Sequence, residues 1–179
     1  EGNDDAFCLV GLAGEAATGP DEPSTTREAL AGEDADKWQE AMDKEMQGLW
    51  DKGTFDDDDA PPGRKPIKTQ FVYEIKRAAD GAVERYKARL VPKGFTQREG
   101  IDFFQTLSPV IGFDVIRTVL ATAAHKAWDI SLLDFTQAYL NAPLQEDIWL
   151  ELPDGRIVKV RKAIYGLKQS ALEWYKELR

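Results

Sequence analysis

Three groups of side chains in this sequence are of types that do chemistry. In LLDFTQAYLNAPL, Leu132 to Leu144, one acid, Asp134, stands where the opening apolar run stops. An aspartate there reads first as a helix N-cap, accepting a bond from an amide two or three residues on. These residues alone leave its role open. The second group is cationic: Lys76, Arg77, Arg85, Lys87, Arg89 and Lys93 crowd around Asp80-Gly81. Phosphates are held by several convergent cationic donors, and charged edge strands that resist aggregation have the same composition. The third is the acidic run Asp56 to Asp59, which invites a metal. Consecutive side chains point apart and repel, so a solvated loop is the better reading.

Other chemistries are excluded by count. The sequence has one cysteine, Cys8, and one histidine, His125, too few for a disulfide framework or a Cys/His zinc cage. No Ser/His/Asp set, Gly-rich dinucleotide loop, Walker loop or internal repeat is present. No apolar run reaches the ~18–20 residues that span a bilayer, and no signal-peptide pattern opens the sequence. The expectation is an intracellular protein, cytoplasmic or nuclear, neither secreted nor membrane-bound. The first residue is Glu1, so a longer parent chain is expected.

The net charge of -9 is unevenly spread. Residues 1–63 hold 18 acids and 4 bases, residues 64–99 hold 4 acids and 10 bases, and residues 100–179 hold 10 acids and 9 bases. One basic segment of +6 therefore sits in an acidic chain, where a polyanion would bind.

The elements that must position these groups follow from periodicity. Residues 1–33 mix Gly, Pro, Ser, Thr and acids without sustained period and read as a linker or disordered tail. Trp38, Ala41, Met42, Met46, Leu49 and Trp50 share one helical face from Asp34, and Lys52-Gly53 ends it. Residues 55–63 read as a loop. Gln70 to Val91 has the grammar of a β-hairpin turning at Asp80-Gly81. Ile116, Val119, Leu120, Ala123, Ala124 and Ala127 predict a second helix, running into a strand over Asp129 to Phe135. IWLELP and RIVKV predict two strands around Pro153 to Arg156, and Ala171 to Leu178 a last helix. The predicted class is α+β rather than a regular βαβ alternation.

Four stretches, WQEAMDKEM, RYKARLVPKGFTQREGIDFFQTLSPV, LLDFTQAYLNAPL and AIYGLKQSALEWY, occur in that order. Together they closely resemble the reverse transcriptase domain of copia-type LTR retrotransposon Pol polyproteins, from about Asp36 to Arg179. The resemblance implies residues 34–179 as the N-terminal part of that domain: the hairpin as fingers, and the strand ending at Asp134 as the first strand of a palm. It implies an RNA-directed DNA polymerase in which a primer 3′-hydroxyl attacks the α-phosphorus of a dNTP between two divalent ions, Mg2+ or Mn2+. Asp134 matches a catalytic metal ligand, and the backbone carbonyl of Phe135 a further oxygen ligand. Tyr139 matches the aromatic under the sugar that excludes a 2′-hydroxyl. The amides of Gln137 and Ala138 would face the triphosphate, Lys87 and Arg89 would neutralise it, and Gln169 would contact the nucleotide near its 3′-hydroxyl. Implied partners are an RNA or DNA template with primer, dNTP and the remainder of the Pol polyprotein.

This sequence departs from the family pattern. The other two metal ligands of the family lie in a Tyr-x-Asp-Asp turn after the Gly-Leu-Lys-Gln motif, and the sequence stops first. The resemblance therefore implies a fragment inactive by itself. The alternative is a non-catalytic, nucleic-acid-binding remnant of a degenerate element.

Overall fold

The computed structural model describes residues 22–131 and 133–179. In chain order the elements are α1 (Thr26–Ala29), α2 (Ala35–Asp51), β1 (Phe55–Asp56), β2 (Ile67–Arg77), β3 (Val83–Pro92), α3 (Phe113–His125), β4 (Trp149–Glu151), β5 (Ile157–Val160) and α4 (Ser170–Leu178). Short 3-10 turns lie at Gly94–Thr96 and Ala138–Asn141. The described strands form a sheet in the order β1-β5-β4-β2-β3, antiparallel except where β2 runs beside β4. The class is α+β.

The hairpin follows from alternation and one glycine. β2 and β3 pair from Thr69↔Pro92 to Arg77↔Val83. The Gly81 N–H donates to the Ala78 carbonyl at 2.9 Å with φ +85°, a left-handed position that a residue without Cβ takes at no steric cost. The period of two then sorts the pair into faces. Phe71, Tyr73, Ala88 and Leu90 turn inward and are buried. Glu74, Lys76, Arg85, Lys87 and Arg89 fall on the other face by the same register.

Helix α2 covers the apolar face. Its i, i+4 spacing puts Trp38, Met42 and Leu49 on one stripe, all buried. The Trp38 ring meets Tyr73 and Tyr86 edge-on at 5.2 and 4.7 Å between centroids. Each such side chain contributes roughly 1.5–3 kcal/mol through burial alone. The Asp34 carboxylate accepts from Lys37 at 2.7 Å and from the Tyr86 hydroxyl at 2.8 Å. The Lys37 bond first, and the Tyr86 bond next, hold its pKa below the usual carboxylate value. Lys52 closes the helix, and Gly53 follows at φ +61°.

Four expectations are corrected. Residues 1–21 lie outside the described residues, but from Glu22 the chain is not a linker. The Glu22 carboxylate accepts the Ile75 amide at 2.7 Å, and Thr25, capping α1 through its hydroxyl, leads the chain to Thr26, which accepts from Tyr73. Those bonds satisfy polar groups at the side of β2 away from β3. The start of the expected loop at 55–63 is a strand: Phe55 is buried and pairs with Val160. The strand expected over Asp129 to Phe135 is not formed by the described residues there. An extended segment becomes a strand only when a neighbour supplies the ladder, and among the described residues none pairs with it. The helix that an N-cap at Asp134 would open is only a four-residue 3-10 turn, Ala138–Asn141, that starts after Gln137.

Candidate nucleotide and nucleic-acid site

One face of the hairpin gathers Lys76, Arg85, Lys87 and Arg89. Register places Lys87 opposite Glu74 and Arg85 opposite Lys76. Arg89 donates to Glu74 at 3.0 Å, and Lys76 pairs with the same carboxylate. Glu74 is held below its ordinary pKa by the Lys76 bond foremost. Glu74 thus pairs with Lys76 and Arg89 and faces Lys87, and the charges of Arg89 and Lys87 also act on the Glu45 carboxylate of α2. The Lys87 pKa is lowered, mainly by burial and next by the Arg89 charge. A phosphate arriving here would relieve that crowding.

Asp134 lies elsewhere, exposed and outside any strand. Phe135 is 49% exposed, with its ring edge-on to Trp174 of α4 at 5.1 Å. Gln137 takes a left-handed conformation, φ +50°, and opens the 3-10 turn that carries Ala138 and Tyr139. Four residues build no useful helix dipole, so the two amides would act there as individual donors.

Tyr139 is half-buried and stacks on Tyr165, with ring centroids 6.3 Å apart and planes 20° from parallel. Backbone pairing brings the two segments that carry the rings together. Leu144 N–H donates to the Arg161 carbonyl and Ala163 N–H to the Ala142 carbonyl, both at 2.9 Å, around a Pro143↔Lys162 bridge. That bridge joins the two segments four residues after Tyr139 and three residues before Tyr165.

Gln169, expected to contact the nucleotide, is fully buried. Its amide nitrogen donates to the Asp102 carbonyl at 2.9 Å and to Glu146 at 3.4 Å. Its amide oxygen accepts from Gln97 at 2.9 Å, and the Gln97 oxygen accepts the Lys168 amide at 2.8 Å. Sequence reasoning missed Gln97. Its signal was a glutamine in an otherwise charged turn, Thr96 to Glu99, that needs a buried partner.

Above this ladder two glycines let backbones touch. A Cβ on Gly94 would meet the Gly166 carbonyl oxygen at 2.0 Å, and one on Gly166 would meet Val91 at 2.6 Å. The end of β3 is thereby pressed against the Tyr165-Gly166 turn. Lys87 and Arg89 ride on the same strand.

The donor set does not fit a two-metal centre. Among the described residues no three of His, Cys, Asp or Glu gather where they could hold an ion. The Asp56 to Asp59 run contributes none: Asp57 to Asp59 are exposed, and Asp56 pairs with Arg161. A cleft of about 530 Å3 between Arg64, Gly100-Ile101, Phe104 and Gln145 to Asp147 contains none of the sequence-predicted residues. Among the described residues no helix is long and apolar enough to cross a membrane.

Comparison with known proteins decides the family. The model of the family "Reverse transcriptase (RNA-dependent DNA polymerase)" matches residues 52–179. This chain belongs to the reverse transcriptase family. It is 38% identical over 162 residues to the Retrovirus-related Pol polyprotein from transposon TNT 1-94 of Nicotiana tabacum, covering 86% of this chain and 12% of that protein. It is 40% identical over 167 residues to the corresponding polyprotein from transposon RE1 of Arabidopsis thaliana, and 38% identical over 167 residues to that from transposon RE2. Each of these covers 88% of this chain and 11% of the relative. This reverse transcriptase chain thus spans about a ninth to an eighth of the curated relatives it matches. No solved structure matches it.

Proposed function

We propose that the chain is the fingers and first palm portion of an RNA-directed DNA polymerase, gripping the phosphates of nucleic acid or of an incoming dNTP within a longer Pol polyprotein. The observation that carries this reading is the two-faced hairpin. Its apolar residues are spent on α2, leaving Lys76, Arg85, Lys87 and Arg89 on the other face around Glu74. Phosphate neutralisation by such a face supplies sequence-independent affinity. Lys87 and Arg89 contact the triphosphate, the Gln137 and Ala138 amides assist, and Tyr139 lies under the sugar. Gln169 serves the nucleotide through the wall it holds, and Asp134 and the Phe135 carbonyl would be the oxygen ligands these residues offer to a divalent ion. With one carboxylate on offer, the chain alone does not extend a primer.

The test is binding of the 179-residue chain to a primer–template hybrid across a salt series, beside Lys87→Ala/Arg89→Ala. The expected result is a linear fall of log affinity with log salt, with a slope reduced by about 2 in the double variant. A double variant that matches the parent at every salt concentration removes the hairpin from the reading. Binding without primer extension in Mg2+ or Mn2+ is expected. Extension abolished by Asp134→Asn would show instead that the chain is catalytically complete.

A further inference from the structure

We propose that Tyr165 is a specificity-determining residue that works through Tyr139: its ring backs the Tyr139 ring and fixes the plane that meets the nucleotide sugar. The inference rests on the reading of Tyr139 as the residue under the sugar. An aromatic excludes a 2′-hydroxyl by bulk only while its ring cannot swing aside, so whatever holds the ring sets the discrimination. Here the near-parallel stack at 6.3 Å is that restraint.

Tyr165 is suited to this by how it is held rather than by how deeply it is buried. It is 49% exposed, so it contributes little as a core residue. Its backbone is nonetheless gripped from three sides. The Pro143↔Lys162 bridge ties down the segment that leads into it. Gly166, at φ +109°, lies close against Val91 and Pro92 at the end of β3. The Gln97–Gln169 amide ladder closes the turn from below. A half-exposed ring on so fixed a backbone, in contact with the sugar-facing tyrosine, is a buttress. Gln169 has no exposed atom with which to share that surface. The same packing ties the ring pair to the strand that carries Lys87 and Arg89, so triphosphate and sugar are located by one rigid unit.

The test measures equilibrium binding of dTTP and of UTP to the 179-residue chain with a poly(rA)·oligo(dT) hybrid and Mg2+, and takes the ratio of the two affinities. Stacked aromatic pairs couple strongly enough that Tyr165→Ala is expected to lower the dTTP preference about 2- to 10-fold. Tyr165→Phe keeps the preference, since the ring and not the hydroxyl does the backing. Lys87→Ala/Arg89→Ala weakens both nucleotides alike and leaves the ratio unchanged. Tyr165→Leu repeats the measurement with a side chain that fills the site, in case the alanine variant does not fold. A ratio unchanged in both variants, or a parent chain that binds both nucleotides equally, overturns the role of Tyr165 while the hairpin reading stands. A parent chain that binds neither nucleotide overturns the nucleotide-site reading and this inference with it.

Discussion

Helices α2 and α3 carry the same kind of apolar periodicity and meet opposite fates. On α2, Trp38, Met42 and Leu49 are buried under the hairpin. On α3, Ala123 is buried, while Phe113, Val119 and Leu120 are 74%, 56% and 46% exposed. The exposed apolar character continues through Trp128, Ile130, Leu133 and Phe135. Amphipathic spacing therefore makes a helix with a face, and says nothing of whether a partner for that face is at hand. The hairpin, local in sequence and closed by one glycine turn, supplies α2 with its partner. Among the described residues nothing comparable covers α3.

Truncating the two stripes should separate them most widely. Leu49→Ala is expected to cost about 2–5 kcal/mol in denaturant unfolding, from lost burial and the cavity left behind. Leu120→Ala should stay within about 0.5 kcal/mol of the parent, as surface substitutions do. Equal costs would mean that α3 is packed in solution. The backbone contact that locks β3 to the 165–166 turn comes next. Gly166→Ala forces a side chain into a left-handed position and against Val91, for an expected loss on the order of 1–3 kcal/mol. Loss of the same size from Gly63→Ala, where a Cβ meets open space, would show that φ strain and not the contact is responsible.

Two smaller effects sharpen the comparison. Val119→Gln with Leu120→Gln should leave stability within about 0.5 kcal/mol and lower the fluorescence of a dye that reports exposed apolar surface. Unchanged dye binding would place that surface elsewhere. The smallest effect concerns Glu45 of α2, whose carboxylate accepts the Leu90 amide at 3.3 Å. Burial is the main influence on its pKa and raises it. A raised carboxyl pKa contributes stability that is present below the unfolded value and is lost as pH rises through the folded value. Glu45→Gln, which keeps an acceptor for Leu90, should therefore gain on the parent as pH rises through that value, in parallel melts at several pH values. A gap that widens instead toward acid would reverse the sign and show that the cations, not burial, dominate.

Much of this was legible from short stretches. The Asp80-Gly81 turn, the alternation on both sides of it, the stripe of α2, the Pro153 to Arg156 turn and α4 are local patterns, and the family motifs lie within them. The strand expected over Asp129 to Phe135 was not reliable in the same way. LLDF has the residue types of a strand, but a ladder needs an edge from a distant part of the chain. The burial of Gln169 was hidden for a related reason. An amide in AIYGLKQSALEWY looks exposed until Gln97 and Asp102, some 70 residues earlier, come to meet it.

The sequence by itself determined the α+β class, most element positions, the two-faced basic hairpin and membership of the reverse transcriptase family, because each rests on spacing within a few dozen residues. Tertiary structure alone decided that Asp134 is exposed outside a strand, that Gln169 is a buried tie, and that Tyr139 stacks on Tyr165. Those outcomes depend on which distant surfaces meet, and contacts between distant surfaces are fixed by packing and unsatisfied polar groups rather than by local period.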